Sequence, residues 1–249
     1  MPKPLIHTVI PSRLGSNRVP MKGMRLLAGK TLVEHTLAAV KSSQLGEHVF
    51  INSDSPRWGE LAARHGVAFY QRDPALATSD SMIDDYLHDF ICNRPSEYLA
   101  VITPTSPLLT SEDIDGAWAQ YQASGCKTLI SAEAIQTHCF LRGQAVNFSR
   151  TGKLPRSQDL EPVVALNFTI AIYHCDTFRQ NYAEHGWGVF AGDISFYLLD
   201  GFSAIDIDEE KDFRLAELAM AYQADGDARP AEYSDIVRDL IDLGVDTRT

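Results

Sequence analysis

The chain has 249 residues, of which 45% are hydrophobic and 22% charged, so it can bury a sizeable core. Its formal net charge of −11 argues against a nucleic-acid surface, because binding to a phosphate backbone depends on clustered Lys and Arg. No stretch approaches the roughly 18 to 20 uninterrupted apolar residues of a membrane span, and the start lacks the apolar core of a signal peptide. We therefore expect a soluble, cytoplasmic protein with one domain over residues 1–249 and no nucleic-acid or membrane partner.

Strands and helices alternate along the first half of the chain. Thr110 and Asp113 have the spacing of a capping box at the start of one helix. The alternation predicts an α/β fold of the Rossmann-like type, with a mainly parallel sheet, helices on both faces, and ligands beyond the carboxyl ends of the strands. Apolar periodicity predicts strands at 5–10, 49–52, 67–70, 98–102 and 128–132, and helices at 30–43, 55–65, up to 93 and up to 124.

The rhythm breaks in the second half. Residues 134–166 are rich in Gln, Asn, Arg and Gly and have no long periodic run, which indicates an excursion from the sheet, either a lid or a dimerisation arm. After it, the pattern predicts a strand at 167–174, extended segments at 196–199 and 203–208, a helix at 209–222 and a final amphipathic helix at 231–243.

The loop between the first strand and the first helix has the composition of a phosphate site. Gly15 permits a close backbone approach, and Arg13 and Lys22 can neutralise phosphate oxygens. The loop is neither a Walker loop nor the dinucleotide GxGxxG pattern. We predict that it cradles a polyphosphate; the alternative is a solvated surface loop that happens to hold three cations. The residues concerned are Pro11, Ser12, Arg13, Gly15, Ser16, Asn17, Arg18 and Lys22.

A pair of carboxylates follows in the last third of the chain, where Asp206 and Asp208 alternate with Ile205 and Ile207. In an extended strand this alternation sends both carboxylates to one face and both isoleucines to the core. Two carboxylates on one face can hold a hard cation such as Mg²⁺. The alternative is an acidic strand end that leads into a helix, whose N-terminus favours negative charge.

Two further segments are ambiguous by themselves. Residues 103–108, Thr-Pro-Thr-Ser-Pro-Leu, follow a buried strand, so the hydroxyls of Thr105 and Ser106 can contact a ligand or simply form a turn. Arg72 and Asp80 lie in the loop after the third strand, again at a carboxyl end of the predicted sheet.

Taken together, these segments resemble the CMP-sugar-acid synthetases, the family of acylneuraminate and ketodeoxyoctonate cytidylyltransferases. The family pattern Arg-x-x-Ser-Lys-x-x-Pro-x-Lys-Asn is similar to residues 13–23, where Asn17 replaces Lys and Gly23 replaces Asn. The motif Gln-Pro-Thr-Ser-Pro-Leu is similar to residues 103–108, and Ser-Ile-Asp-Ile-Asp is similar to residues 203–208 with one residue inserted. The likeness covers nearly the whole chain.

The resemblance implies an enzyme that transfers CMP from CTP to an anionic acceptor with the help of Mg²⁺. It implies catalytic roles for Arg13, Lys22 and Asp208, and metal binding by Asp206 and Asp208. The implied nucleotide contacts are Pro11, Ser12, Arg13, Gly15, Ser16, Asn17, Lys22, Arg72, Asp80, Thr105 and Ser106, with Arg72 reading the cytosine. The implied acceptor contacts are Thr103, Arg156, Gln158 and Asn167. In that family the segment equivalent to 134–166 is an arm that reaches over the partner's active site, which implies a homodimer.

The departures from the family concentrate at the acceptor. Thr103 stands where sialate enzymes have Gln, Ala165 replaces a common Arg, and Phe168 replaces Gly. An Arg that clamps a carboxylate contributes roughly 1.5 to 3 kcal/mol, so its loss can change the preferred acceptor. A sialic-acid-like sugar acid is the first acceptor to consider, and a phosphonate or another small phosphorylated acid is the alternative. A binder that has lost catalysis is a third interpretation, and the retention of both Asp206 and Asp208 argues against it.

Overall fold

The computed structural model describes residues 4–13, 15 and 18–225, and a seven-stranded sheet forms its centre. Its strands are β1 (Ile6–Pro11), β2 (Val49–Ser53), β3 (Ala68–Gln71), β4 (Tyr98–Ile102), β5 (Thr128–Ile135), β6 (Val163–His174) and β7 (Ile194–Leu198). The order across the sheet is β7-β5-β6-β4-β1-β2-β3, and β6 alone runs against its neighbours. The predicted α/β architecture with a mainly parallel sheet is therefore confirmed.

Helices cover both faces of this sheet because the buried side chains of each central strand alternate between two clusters. In β1, Ile6 and Ile10 pack with α1, α2 and α4, whereas Val9 packs with α3 and α5. In β4, Ile102 belongs to the first of these clusters and Val101 to the second. The helices in the described part of the chain are α1 (Leu32–Ser42), α2 (Arg57–His65), α3 (Ile83–Asn93), α4 (Ser111–Ser124), α5 (Cys175–His185) and α6 (Glu210–Asp225).

Capping residues set several helix ends where the sequence predicts them. The Thr110 hydroxyl accepts a hydrogen bond from the Asp113 backbone N–H, while the Asp113 carboxylate accepts one from the Thr110 backbone N–H. This reciprocal pair satisfies two of the N–H groups that a helix start leaves unpaired. At the other end of a helix, Gly66 closes α2 in the left-handed conformation, which glycine adopts without steric cost.

The irregular excursion is shorter than the predicted 134–166. β5 continues to Ile135 and β6 already begins at Val163, and these ends pair with each other in antiparallel register. They project beyond the core and bury few side chains, so the hydrophobic periodicity that reveals a strand is missing from them. Between them lie a short hairpin, Phe140–Leu141 paired with Gln144–Ala145, and a 3-10 turn at Ser157–Asp159.

The prediction of an extended segment at 203–208 is wrong for its first two residues and only partly right for the other four. Ser203 and Ala204 belong to the 3-10 turn Gly201–Ala204, and residues 205–208 are outside every strand. The Ile207 N–H donates to the Thr105 carbonyl at 2.8 Å, one bond in place of a ladder. Even so, Ile207 is fully buried and packs with Phe213 of α6, as the alternation predicts.

The helix expected at 231–243 lies outside the described residues. None of the helices in the described ranges combines the length and the apolarity needed to cross a membrane.

Candidate active site

A cleft of about 450 Å³ opens at the carboxyl ends of β1, β3 and β4. Parallel strands end at the same edge of a sheet, so the loops that follow them meet there. The loop after β1, the segment 76–86 and the Thr-Pro-Thr segment after β4 form its walls, and Asn167 of β6 completes it. Four of the predicted segments therefore converge on one site.

The loop after β1 contributes both buried and exposed groups to this cleft. The Ser12 side chain is buried and its hydroxyl has no hydrogen-bond partner, while the Ser12 N–H donates to the Asn52 carbonyl at 2.9 Å. Arg13 is exposed and donates to the Thr78 carbonyl at 2.8 Å across the cleft mouth. Pro11 and Gly15 also line the cleft. Ser16 and Asn17 lie outside the described residues.

Lys22 connects this loop to the carboxylate pair. Its ammonium donates to the Ile207 carbonyl and to Asp208 Oδ1, the second at 3.2 Å, and its side chain is only 15% exposed. Arg18 Nη2 lies 2.9 Å from the same Asp208 oxygen. The sequence positions are 186 residues apart for Lys22 and Asp208, so the fold alone brings them together. Two cations thus meet one carboxylate at the rim of the cleft.

Asp206 has a different environment from Asp208. Its Oδ1 atom is buried without a hydrogen-bond partner. Burial raises the pKa of the Asp206 carboxyl above its ordinary value, a hydrogen bond with the Thr105 side chain opposes the rise, and the neighbouring Asp208 charge adds to it. Burying a carboxylate oxygen without a partner costs free energy unless a cation or a hydrogen-bond donor pairs with it.

Arg72 forms the base of the cleft on the β2–β3 side. Its side chain is almost fully buried, with 3% exposed, and Nε donates to Asn52 Oδ1 at 2.7 Å. Nη2 donates to the Asn52 carbonyl at 3.2 Å, and the guanidinium carbon lies 4.0 Å from the centre of the Tyr86 ring. Burial lowers the pKa of Arg72 from its ordinary value because the charged form loses water. A buried cation held by neutral groups therefore faces this end of the cleft.

Two of the residues predicted to bind the acceptor, Asn167 and Thr103, line the cleft, and both are neutral and polar. The Asn167 Oδ1 atom accepts hydrogen bonds from the Ser131 hydroxyl at 2.6 Å and from the Thr169 N–H at 3.2 Å. The Nδ2 atom of the same amide is buried and has no hydrogen-bond partner. Phe168 has a φ of 55° where the β5–β6 register shifts, a conformation that favours glycine. Thr103 also lines the cleft, and its hydroxyl lies 3.4 Å from the Thr105 hydroxyl.

Several predicted site residues do not line the cleft of this chain. Ser106 is fully buried and its hydroxyl pairs with the Thr169 hydroxyl at 2.9 Å. Asp80 is exposed in the 76–86 segment and turns toward its neighbour Ser79 rather than the cleft. Arg156 pairs with Asp159 at 2.8 Å in the excursion, and Gln158 lies beside it. Neither residue lines the cleft, so this structure does not bring them together with the other predicted site residues.

The site also contains residues that were not predicted from the sequence, among them Asn52, Thr78 and Tyr86. Asn52 is a polar residue at the carboxyl end of a buried strand, which is the signal that could have revealed it. Tyr86 lies one helical turn after Ile83 in α3, and both side chains line the cleft. Thr78 contributes through its backbone carbonyl, for which a sequence carries no signal.

Residues 7–183, more than half of the chain, match a protein-family model described as "Cytidylyltransferase". The chain belongs to the cytidylyltransferase family. Both the fold and the resemblance found in the motifs agree with this membership.

Similar proteins carry sugar-acid names. An N-acylneuraminate cytidylyltransferase of Streptococcus agalactiae is 28% identical over 214 residues, 82% of this chain and 51% of that protein. This cytidylyltransferase chain therefore spans about half the length of that relative. A CMP-N,N'-diacetyllegionaminic acid synthase of Legionella pneumophila is 29% identical over 230 residues, 86% of this chain and 96% of that protein.

Solved structures share the fold at low sequence identity. A CMP:2-keto-3-deoxy-manno-octonic acid synthetase complexed with CTP superimposes with a TM-score of 0.66 at 15% identity, covering 88% of this chain and 99% of the other. A cytidylyltransferase from Leptospira borgpetersenii has a TM-score of 0.56 at 16% identity, covering 97% of this chain and 94% of the other. At these identities the likeness concerns the fold alone.

Proposed function

We propose that this cytidylyltransferase transfers CMP from CTP to a sialic-acid-like sugar acid and releases pyrophosphate. One observation carries the proposal: Arg72, Arg13 and Lys22 line a single cleft, and two carboxylates adjoin its lining residues. Asp208 forms an ion pair with Lys22, and the Asp206 side chain is hydrogen-bonded with that of Thr105. Phosphoryl-type transfer depends on positioning and charge neutralisation, which these groups can supply.

The nucleotide fits the cleft by charge. Arg72 and Tyr86 offer a cation and an aromatic ring to the base end, while Arg13, Lys22 and the backbone at Gly15 offer positive charge and close approach to the phosphates. Lys22 is engaged by Asp208 in this structure, so a bound triphosphate has to compete for that ammonium. Cations that are already paired cost less to keep buried before the substrate arrives.

The donor set at the rim fits a hard divalent cation. No group of three or more His, Cys, Asp or Glu side chains arranged for a metal occurs within the described ranges, so the protein would supply Asp206 and Asp208, with phosphate oxygens and water completing the shell. The unpartnered Asp206 Oδ1 is the atom that such an ion would satisfy. When bound there, Mg²⁺ would neutralise charge on the phosphates.

The remaining chemistry falls to the side chains of the chain. The acceptor hydroxyl loses its proton to solvent and its oxygen attacks the α-phosphorus in line, while the bond to the bridging oxygen breaks and pyrophosphate leaves with that electron pair. Lys22 and Arg13 hold the leaving phosphates and stabilise their growing charge. Asn167 Nδ2 and the Thr103 hydroxyl offer hydrogen bonds to the acceptor, which orient its attacking oxygen. A covalent protein nucleophile has no part in this scheme.

The acceptor is proposed from two lines of support. The similar proteins from S. agalactiae and L. pneumophila are named for N-acylneuraminate and N,N'-diacetyllegionaminic acid. Asn167 and Thr103 offer an amide and a hydroxyl to the acceptor, which suit a polyhydroxylated ligand better than a compact dianion.

Pyrophosphate release from CTP and Mg²⁺ tests the acceptor directly. We expect turnover with a sialic or legionaminic-type acid, and a kcat/KM for it at least about 100-fold above that for a small phosphonate, because a matched set of hydrogen bonds discriminates strongly. Ketodeoxyoctonate belongs in the same panel. Release with the phosphonate alone would replace the proposed acceptor by the alternative one. CTP binding without release from any acceptor would contradict enzymatic activity.

We further propose that the excursion between β5 and β6 forms a homodimer. It exposes apolar side chains that a free surface seldom presents together: Phe140 is 55% exposed, Leu141 67% and Leu154 73%. Docking on a second copy would cover them and would bring Arg156 and Gln158 toward the partner's cleft. Sedimentation velocity measures the mass in solution, and a monomer at micromolar concentration would contradict the proposal.

A further inference from the structure

Arg72 is unusual because its buried charge has no anionic partner. Both of its side-chain hydrogen bonds go to Asn52, one to the amide oxygen and one to the backbone carbonyl, and it forms no ion pair with a carboxylate of the described residues. The nearby carboxylates of Asp54 and Asp89 act on it only through space. Burying a guanidinium without an anion is costly, so the arrangement calls for a functional reason.

Asn52 is placed by the sheet to hold this guanidinium. It is fully buried in β2, opposite Pro11 of β1 and Tyr70 of β3. Its carbonyl accepts from Arg72 and from the Ser12 N–H, so one residue ties the guanidinium to the loop after β1. The Arg72 backbone N–H, in turn, donates to the Ser53 carbonyl at 2.8 Å. The position of the guanidinium is therefore fixed from two sides by strand β2.

An amide and a carboxylate at position 52 would give Arg72 the same geometry but different charge. Asp has nearly the shape of Asn, and its oxygen would accept from Nε just as well. It would, however, neutralise the guanidinium as a buried ion pair and leave little attraction for a ligand. Asn orients the cation and leaves its charge uncompensated.

We propose that Asn52 is a positioning residue for nucleotide binding, which holds Arg72 toward the cleft while keeping its positive charge available to CTP. The proposal rests on the proposed function, since it takes CTP as the ligand. Nucleotide affinity is gained here at the expense of stability, because the chain buries an unpaired cation that only a ligand completes. The Asn52 Nδ2 atom is buried at the same place and also lacks a hydrogen-bond partner.

The substitution Asn52→Asp tests this inference with a change of a few atoms. We expect an unchanged or higher melting temperature without nucleotide, because Arg72 gains an anionic partner. We expect the Kd for CTP, measured by calorimetry, to rise about 10- to 100-fold, as for the loss of one charge-assisted contact. The KM for CTP should rise in parallel, while kcat changes little. A purely structural role predicts a lower melting temperature and an unchanged KM.

Two further ligands show which part of CTP the guanidinium serves. If Arg72 contacts the base, Asn52→Asp lowers the affinity for CMP and for CTP alike and leaves the affinity for inorganic tripolyphosphate unchanged. If Arg72 contacts the phosphates, the affinities for tripolyphosphate and CTP fall together, and the affinity for CMP changes less. Either pattern supports the positioning role. Equal affinity of the variant and the wild type for CTP would overturn it.

Matched variants complete the design. Gln71→Glu adds the same charge at the adjacent, exposed residue and is expected to leave the Kd for CTP unchanged. Asn52→Ser keeps the site neutral but is too short to reach Nε, so it should also weaken CTP; it decides the matter if Asn52→Asp does not fold. If the wild type itself binds no CTP, the proposed function is contradicted. If the wild type binds CTP and both Asn52 variants bind it equally well, only the positioning role of Asn52 is contradicted.

Discussion

Replacing Asp208 by asparagine is expected to lower kcat by about 100- to 1,000-fold, the typical effect of removing one electrostatic group from a transition state. The Asp208 side chain is 39% exposed and its partners Arg18 and Lys22 approach it from the rim of the cleft. The substitution preserves shape and removes one charge. Because surface ion pairs contribute little to stability, we expect the melting temperature to change by no more than a few degrees.

CTP affinity separates this effect from general damage. In the absence of a divalent cation, Asp208→Asn should bind CTP as tightly as the wild type or more tightly, because Lys22 and Arg18 no longer have a carboxylate to neutralise them. With Mg²⁺ present, turnover should stay low even at saturating CTP. Asp200→Asn, an exposed carboxylate before the turn Gly201–Ala204, is the matched control and should keep full activity. Near-wild-type turnover by Asp208→Asn would remove Asp208 from the mechanism.

Replacing Lys22 by alanine should lower kcat/KM for CTP by about 100-fold or more, since one charged donor to the triphosphate disappears. The same ammonium also donates to the Ile207 carbonyl, so the variant loosens the segment that carries Asp206 and Asp208. The variant loses both the contact with the triphosphate and the contact that holds this segment, so we expect kcat to fall together with CTP affinity. Steady-state kinetics with the acceptor at saturation would measure both.

Two companion variants sharpen the result for Lys22. Lys30→Ala removes an exposed lysine from the hairpin before α1, outside the cleft, and is expected to have wild-type kinetics. Lys22→Arg keeps the charge but puts a larger, planar head into a side-chain site that is only 15% exposed, so it should recover only part of the loss. Full activity in Lys22→Ala would show that the contact with Asp208 has no catalytic role.

Local patterns in the sequence located most helices and strands to within a few residues. The helix α4 begins after Thr110 and ends at Ser124 as predicted, because the capping box and the apolar period are both properties of neighbouring residues. The strand β4 matches its predicted bounds, 98–102, for the same reason. Three of the motifs located the cleft, since the loop after β1, the loop after β3 and residues 103–108 each follow a strand whose carboxyl end lies at that edge of the sheet.

Errors arose where structure depends on distant partners. The ends of β5 and β6 pair only with each other, so residues 134–135 and 163–166 lack the buried period that identifies a strand. Residues 205–208 have the alternation of a strand, yet they form one backbone bond with Thr105 and belong to no strand of the described sheet. Periodicity reports which side chains are buried and says nothing about what lies next to the backbone.

Local sequence patterns were enough to identify the α/β class, the order of the elements and the loop that carries Arg13 and Lys22, because apolar period, caps and glycine positions act over a few residues. Which charges meet depends on how the chain folds. Arg72 donates a hydrogen bond to Asn52, 20 residues away in sequence, and Lys22 donates one to Asp208, 186 residues away. Such pairs form because neighbouring parallel strands carry their loops to one edge of the sheet, a condition that no local pattern encodes.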